Sequence, residues 1–168
     1  NRDLSENKVI AHILSNPDGL HPFNNNSVMR SFIFEHTQKT LVKLDLRSLD
    51  YIPSLAKSLP TVSEDGLRYS YELRDDLRWD DGTQVTAKDV LFTSKIQVCP
   101  LTDNANVRGN YSSVIKEVIL DPENPLKFTM LAFSKNVTNK SIYSEVYIQQ
   151  KSHWDPNGVL DDLTFKQI

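Results

Sequence analysis

The chain has 168 residues, 39% hydrophobic and 24% charged, which suits one ordinary domain or two small ones with a sizeable core and excludes disorder or a coiled coil as its natural class. Nineteen Lys and Arg against 22 Asp and Glu leave a formal charge of -3. No basic stripe interleaves with aromatics, so no nucleic-acid partner is expected.

Cys99 is the one cysteine, which rules out an intrachain disulfide and a thiolate cluster. No apolar run approaches the roughly 20 residues of a membrane span, and the polar opening Asn1 to Asn7 lacks a secretory layout. Any targeting segment is expected to have been cut off or never to have existed.

In chain order, Val9, Ile10, Ala11, Ile13 and Leu14 form an apolar run closed by Asn16-Pro17-Asp18-Gly19, which predicts a buried strand and a turn. Ser27 is placed to cap a helix carrying Val28, Met29, Phe32, Ile33 and His36 along one side and ending near Gln38. Leu41, Val42 and Leu44 make a short apolar piece. Because an X-Pro step disfavours helix before Pro53, residues 51–56 are expected to be connecting structure with a short helical turn.

After Glu64-Asp65-Gly66, the residues Leu67, Tyr69, Tyr71 and Leu73 alternate with Arg68, Ser70, Glu72 and Arg74, the period of a half-buried strand. A second strand is predicted around Leu77 to Trp79, then a turn at Asp80-Asp81-Gly82-Thr83. Thr86-Ala87-Lys88-Asp89 reads as a capping box opening a helix through Val90, Leu91, Ser94 and Gln97 to Pro100. Leu101 to Asn110 is polar and reads as a loop. Residues 114–120 and 127–133 predict an antiparallel hairpin across Asp121-Pro122-Glu123-Asn124-Pro125, a last strand is expected from Ser144 to Gln149, and Trp154 to Gly158 is a turn.

The five glycines are too dispersed for a phosphate-binding loop, the four histidines lack metal-ligand spacing, and no serine sits in a nucleophile elbow. Asp75, Asp76, Asp80 and Asp81 lack the spacing of a calcium loop. No enzyme activity, metal or cofactor is therefore expected.

Three consecutive stretches carry a specific pattern: residues 51–59 with a proline and a Leu55-Ala56-Lys57-Ser58 piece, then Asp65-Gly66-Leu67-Arg68-Tyr69, then Leu77-Arg78-Trp79-Asp80-Asp81-Gly82 running into Thr86-Ala87-Lys88-Asp89-Val90. In order and gaps this closely resembles the signature region of the oligopeptide, dipeptide and nickel solute-binding proteins of ABC transporters, solute-binding protein family 5. Asn16 to Phe23 is similar to the family's opening strand-to-loop segment, and Lys39-Thr40-Leu41-Val42 to its E-x-L-V piece, with Lys at the usual acidic position.

The resemblance implies a mixed α/β (α+β) chain of the periplasmic-binding-protein-like type II fold. It implies the N-terminal part of lobe one in residues 1–45, the family's extra small domain in 46–150 and a return into lobe one in 151–168, with the second lobe absent. The implied function is that of an ABC importer's solute-binding component, which captures peptides or a similar small solute and delivers it to the permease subunits without covalent chemistry. The setting implied is periplasmic or cell-surface, with membrane contact only through a lipid anchor that these residues do not contain. A peptide-sensing or chaperone-like interaction module on the same fold is the alternative. In the family the segment after the first strand borders the cleft, which transfers ligand contact to Asn24, Asn25, Asn26 and Ser27; the loop carrying Arg108 and Tyr111 is a second contact candidate. The competing readings are a helix cap at Ser27 and a solvated loop at Arg108.

Overall fold

The computed structural model describes residues 12–17, 19–24 and 28–168. Along the chain come α1 (Val28–Thr37), β1 (Val42–Leu44), β2 (Tyr51–Pro53), β3 (Thr61–Val62), β4 (Arg68–Glu72), α2 (Ala87–Val98), α3 (Ala105–Ser112), β5 (Ile115–Leu120), β6 (Lys127–Ala132), a 3-10 stretch (Val137–Ser144) and α4 (Lys151–Trp154).

Alternation of side chains decides the central layer. Tyr69 and Tyr71 of β4, with Leu73 beyond it, are buried while Arg68 and Ser70 face water, because successive strand residues point to opposite faces. The sheet has the order β3-β4-β6-β5, antiparallel throughout. Register places Tyr71 opposite Phe128 and Tyr69 opposite Met130, so the buried residues of β4 and β6 share one face. The Tyr71 and Phe128 rings stack at 5.2 Å, and Tyr143 stands edge-on to both. The Tyr143 hydroxyl is paired with the Ser94 hydroxyl at 2.9 Å, which ties α2 to this aromatic layer.

Asp89 closes the first turn of α2. Its carboxylate accepts from the Thr86 amide at 2.8 Å and from the Thr86 hydroxyl at 3.3 Å, satisfying a donor that the helix itself leaves orphaned. Its other oxygen accepts from the Lys151 amide at 2.8 Å, joining the start of α2 to the start of α4. The helix then buries Val90 completely, a burial that contributes about 1.5–3 kcal/mol.

Several expectations need correction. The part of the predicted first strand that is described, residues 12–14, is irregular, with Leu14 exposed; Val9 to Ala11 lie outside the described residues. In α1 the buried side chain is Phe34, whereas Val28 and Phe32 are exposed, because Phe34 is the one that meets Tyr147 edge-on at 5.5 Å. Residues 51–53 are a strand paired with β1, Pro53 opposite Val42. A proline is tolerated there because it ends a two-stranded ladder. The strand expected around Leu77 is a single bridge between Arg78 and Gln84, where Gly82 at φ +83° closes a turn too tight for longer pairing. The supposed loop up to Asn110 contains α3. The last predicted strand is reduced to one bridge between Thr40 and Tyr147, since Val146 and Ile148 turn inward with only that short partner to pair with.

Candidate functional site

Where α2 ends, the chain folds back on itself. The Thr102 hydroxyl donates to the Ile96 carbonyl at 2.7 Å, and Asn104 then caps α3 by accepting from the Val107 amide at 3.2 Å. Opposite this turn, Arg30 of α1 donates to the carbonyls of His21 and Pro22 at 3.1 and 3.0 Å and lies 5.1 Å from the Phe34 ring centroid. Phe23 packs edge-on against Phe92 and Trp154, which fixes the 21–24 segment beside α2.

These pieces surround a cavity of about 410 Å³. Arg30 comes from α1, Gln97 from the last turn of α2, and Asn104, Asn110 and Tyr111 from α3 and its cap. Glu145 and Tyr147 complete the wall from the segment after the 3-10 stretch. Burial raises the Tyr111 phenol above its ordinary value, helped by the negative charge of Glu145. Burial also raises that of Tyr147. Both phenols are therefore protonated at neutral pH and able to donate. Desolvation lowers Arg30, offset by Tyr147, yet a guanidinium remains charged. The wall thus holds carboxamides and phenols with one cation and one anion, a surface for a polar, dipolar solute.

Of the residues predicted at the site, Tyr111 lines this cavity. Arg108, also on α3, instead donates to the Thr102 carbonyl and stiffens the turn behind it. Asn24 accepts from the Asp103 amide at 3.2 Å, pinning the 21–24 segment to the same turn. Asn25, Asn26 and Ser27 lie outside the described residues. Sequence reasoning missed Arg30, Gln97, Asn104 and Tyr147; only Asn104 had a legible signal, a capping residue ahead of Val107. Among the described residues no group of three His, Cys, Asp or Glu side chains is placed to hold a metal ion, and no helix is long and apolar enough to cross a membrane.

The fold is that of the periplasmic binding proteins. It superposes on the pheromone receptor PrgZ, whose structure describes its mode of peptide binding, with a TM-score of 0.74 at 22% identity, covering 90% of this chain and 32% of that one. NikZ from Campylobacter jejuni, solved with Ni(L-His), gives a TM-score of 0.66 at 25% identity, covering 85% of this chain and 27% of that one. The model of the bacterial extracellular solute-binding proteins, family 5 (middle) matches residues 50–158, and the chain belongs to that family. A dipeptide-binding protein of Lactococcus lactis is 47% identical over 49 residues, 29% of this chain and 9% of that protein. The chain spans about a third of the length of the solved structures it resembles.

Proposed function

We propose that this chain is part of the solute-binding component of an ABC importer, capturing peptides outside the cytoplasmic membrane and passing them to permease subunits. The cavity between α1, α3 and Glu145–Tyr147 forms part of its ligand-facing surface. The observation that carries this reading is the wall itself: protonated phenols and carboxamides, with Arg30 and Glu145 supplying opposite charges, match the donors, acceptors and charged ends of a short peptide. Family membership supports the same assignment. Residues 46–150 serve as the small extra domain, with 1–45 and 151–168 belonging to lobe one, and a lipid anchor elsewhere in the protein holds it at the membrane. The work is reversible binding, with no bond made or broken.

Calorimetry on the protein at its full natural length, with alanine peptides of two to five residues, tests the assignment. Micromolar or tighter binding of at least one peptide is expected. Heat from maltose or nickel–histidine with none from any peptide would overturn it. The 168-residue chain alone is expected to bind at least tenfold more weakly than the full-length protein, since a pocket ordinarily covers 70–90% of its ligand and hinge closure needs two bodies.

A further inference from the structure

We infer that a second hollow, sharing a wall with the cavity described above, is a subsite for a basic side chain of the bound peptide, whose charge it pairs with Glu145. The inference rests on the peptide-binding reading above and adds to it a preference among peptides.

The two hollows, each of about 410 Å³, meet along Asn110, Tyr111, Ser144 and Glu145. None of these four side chains is spent on a hydrogen bond or ion pair with another described residue. Tyr111 is the telling one. The residue is 7% exposed, yet its phenol has no partner among the described residues, and unlike the Gln97 oxygen its hydroxyl is not sealed off from the space it lines. Burial of the ring holds that donor in place, so little side-chain freedom is lost when a peptide carbonyl accepts from it. Glu145 stands close enough that its charge helps to raise the Tyr111 phenol. The shared wall therefore offers a fixed donor and an unpaired carboxylate side by side.

Charge decides what enters the second hollow. Its apolar lining comes from Tyr51 of β2, Val114 after α3 and Ile142 of the 3-10 stretch. Among the described residues no Lys, Arg or His lines it, and Glu145 is its one formal charge. The first cavity also reaches Glu145 but sets Arg30 in the same wall, so a ligand cation there would meet a like charge. A ligand carboxylate would in turn be repelled from the second hollow. A lysine or arginine side chain suits it, because its aliphatic stem can lie along Tyr51, Val114 and Ile142 while its head stays hydrated beside Glu145. Tyr111 then takes a main-chain carbonyl as the peptide passes from one hollow to the next.

The test uses the full-length protein with pentaalanine and its variants carrying lysine or norleucine at each position in turn; norleucine keeps the aliphatic stem without the charge. Calorimetry reads the ratio of affinities. In wild type, lysine at one position at least should bind about fivefold more tightly than norleucine there, the upper end for a charge pair that water still reaches. Glu145→Gln, at an exposed residue with no partner among the described residues, should bring that ratio to about one. Thr138→Trp, which fills the second hollow from an exposed position and keeps the carboxylate, should remove the gain of the lysine peptide over pentaalanine. If wild type binds pentaalanine but favours lysine over norleucine at no position, the inference is wrong and the importer reading stands. A preference that survives Glu145→Gln contradicts the pairing, and one that survives Thr138→Trp contradicts the place given to the side chain. If wild type binds none of these pentapeptides the inference falls, and the importer reading falls with it only where the shorter alanine peptides give no heat either.

Discussion

Asp89 offers the sharpest test of how the fold is assembled. Its side chain sits in a residue only 6% exposed and accepts three hydrogen bonds, two of them from backbone amides that come from different parts of the chain, Thr86 and Lys151. Each hydrogen bond to a charged group is worth about 1.5–3 kcal/mol when the partner would otherwise be buried unpaired. A carboxylate in the first helical turn adds about 0.3–1 kcal/mol from the helix dipole. Asp89→Ala should therefore cost about 3–5 kcal/mol. Asp89→Asn is the more telling variant, because it keeps the volume. The two amides approach opposite oxygens, so whichever way the carboxamide turns, its NH₂ faces an N–H donor. That variant should lose about 2–4 kcal/mol, lowering the melting temperature by roughly 4–16 °C for a chain of this size. Urea titration followed by circular dichroism measures it. If Asp89→Asn lies within about 0.5 kcal/mol of wild type, the range left to surface changes, the claim that this carboxylate clamps α2 to α4 is wrong.

Tyr143→Phe should cost about 1–3 kcal/mol by leaving the buried Ser94 hydroxyl without its partner, and adding Ser94→Ala should restore part of the loss in a double-mutant cycle. Gly66 has φ +71°, and an added Cβ would come within 2.8 Å of the Lys135 side chain; since that long side chain can move, backbone strain dominates, and Gly66→Ala should cost about 1–2 kcal/mol in denaturant titration. Burial lifts Tyr71, Tyr111 and Tyr143 above the ordinary phenol value near 10. Because the folded values exceed the unfolded ones, the stability they contribute is fully present below about pH 10 and is lost as pH rises from there towards the folded values. Ultraviolet titration should show these three phenols ionising only with base unfolding, and their ionisation in a chain that remains folded would contradict the packing described.

Legibility in the sequence followed the length of each pattern. The alternation of Leu67 to Leu73 and the Thr86-Ala87-Lys88-Asp89 start were long enough to read, and both β4 and α2 lie where they were predicted. The pairing of β1 with β2 involves three residues on each side, too few for a period to emerge. The helix α3 carries few apolar side chains, Val107 and Tyr111 among them, so its composition reads as loop while its Asn104 cap and its packing on α2 make it a helix. The cavity was the least legible feature. Its walls come from positions near 30, 97, 104–111 and 145–147, and only the tertiary fold brings Arg30, Gln97 and Tyr147 together. Tyr111, named as a contact candidate beside the family resemblance, lines the cavity; nothing in the local spacing marks Gln97.

The most direct test of the central claim is hydrogen exchange, read by mass spectrometry, on the full-length protein with and without its tightest-binding alanine peptide. Peptide is expected to slow exchange in residues 97–111 and 144–147, around the cavity, while the solvent face of the sheet at Arg68, Ser70 and Thr129 exchanges as before. Slowing elsewhere in the protein with none at 97–111 or 144–147 would contradict the assignment of this cavity to the ligand-facing surface.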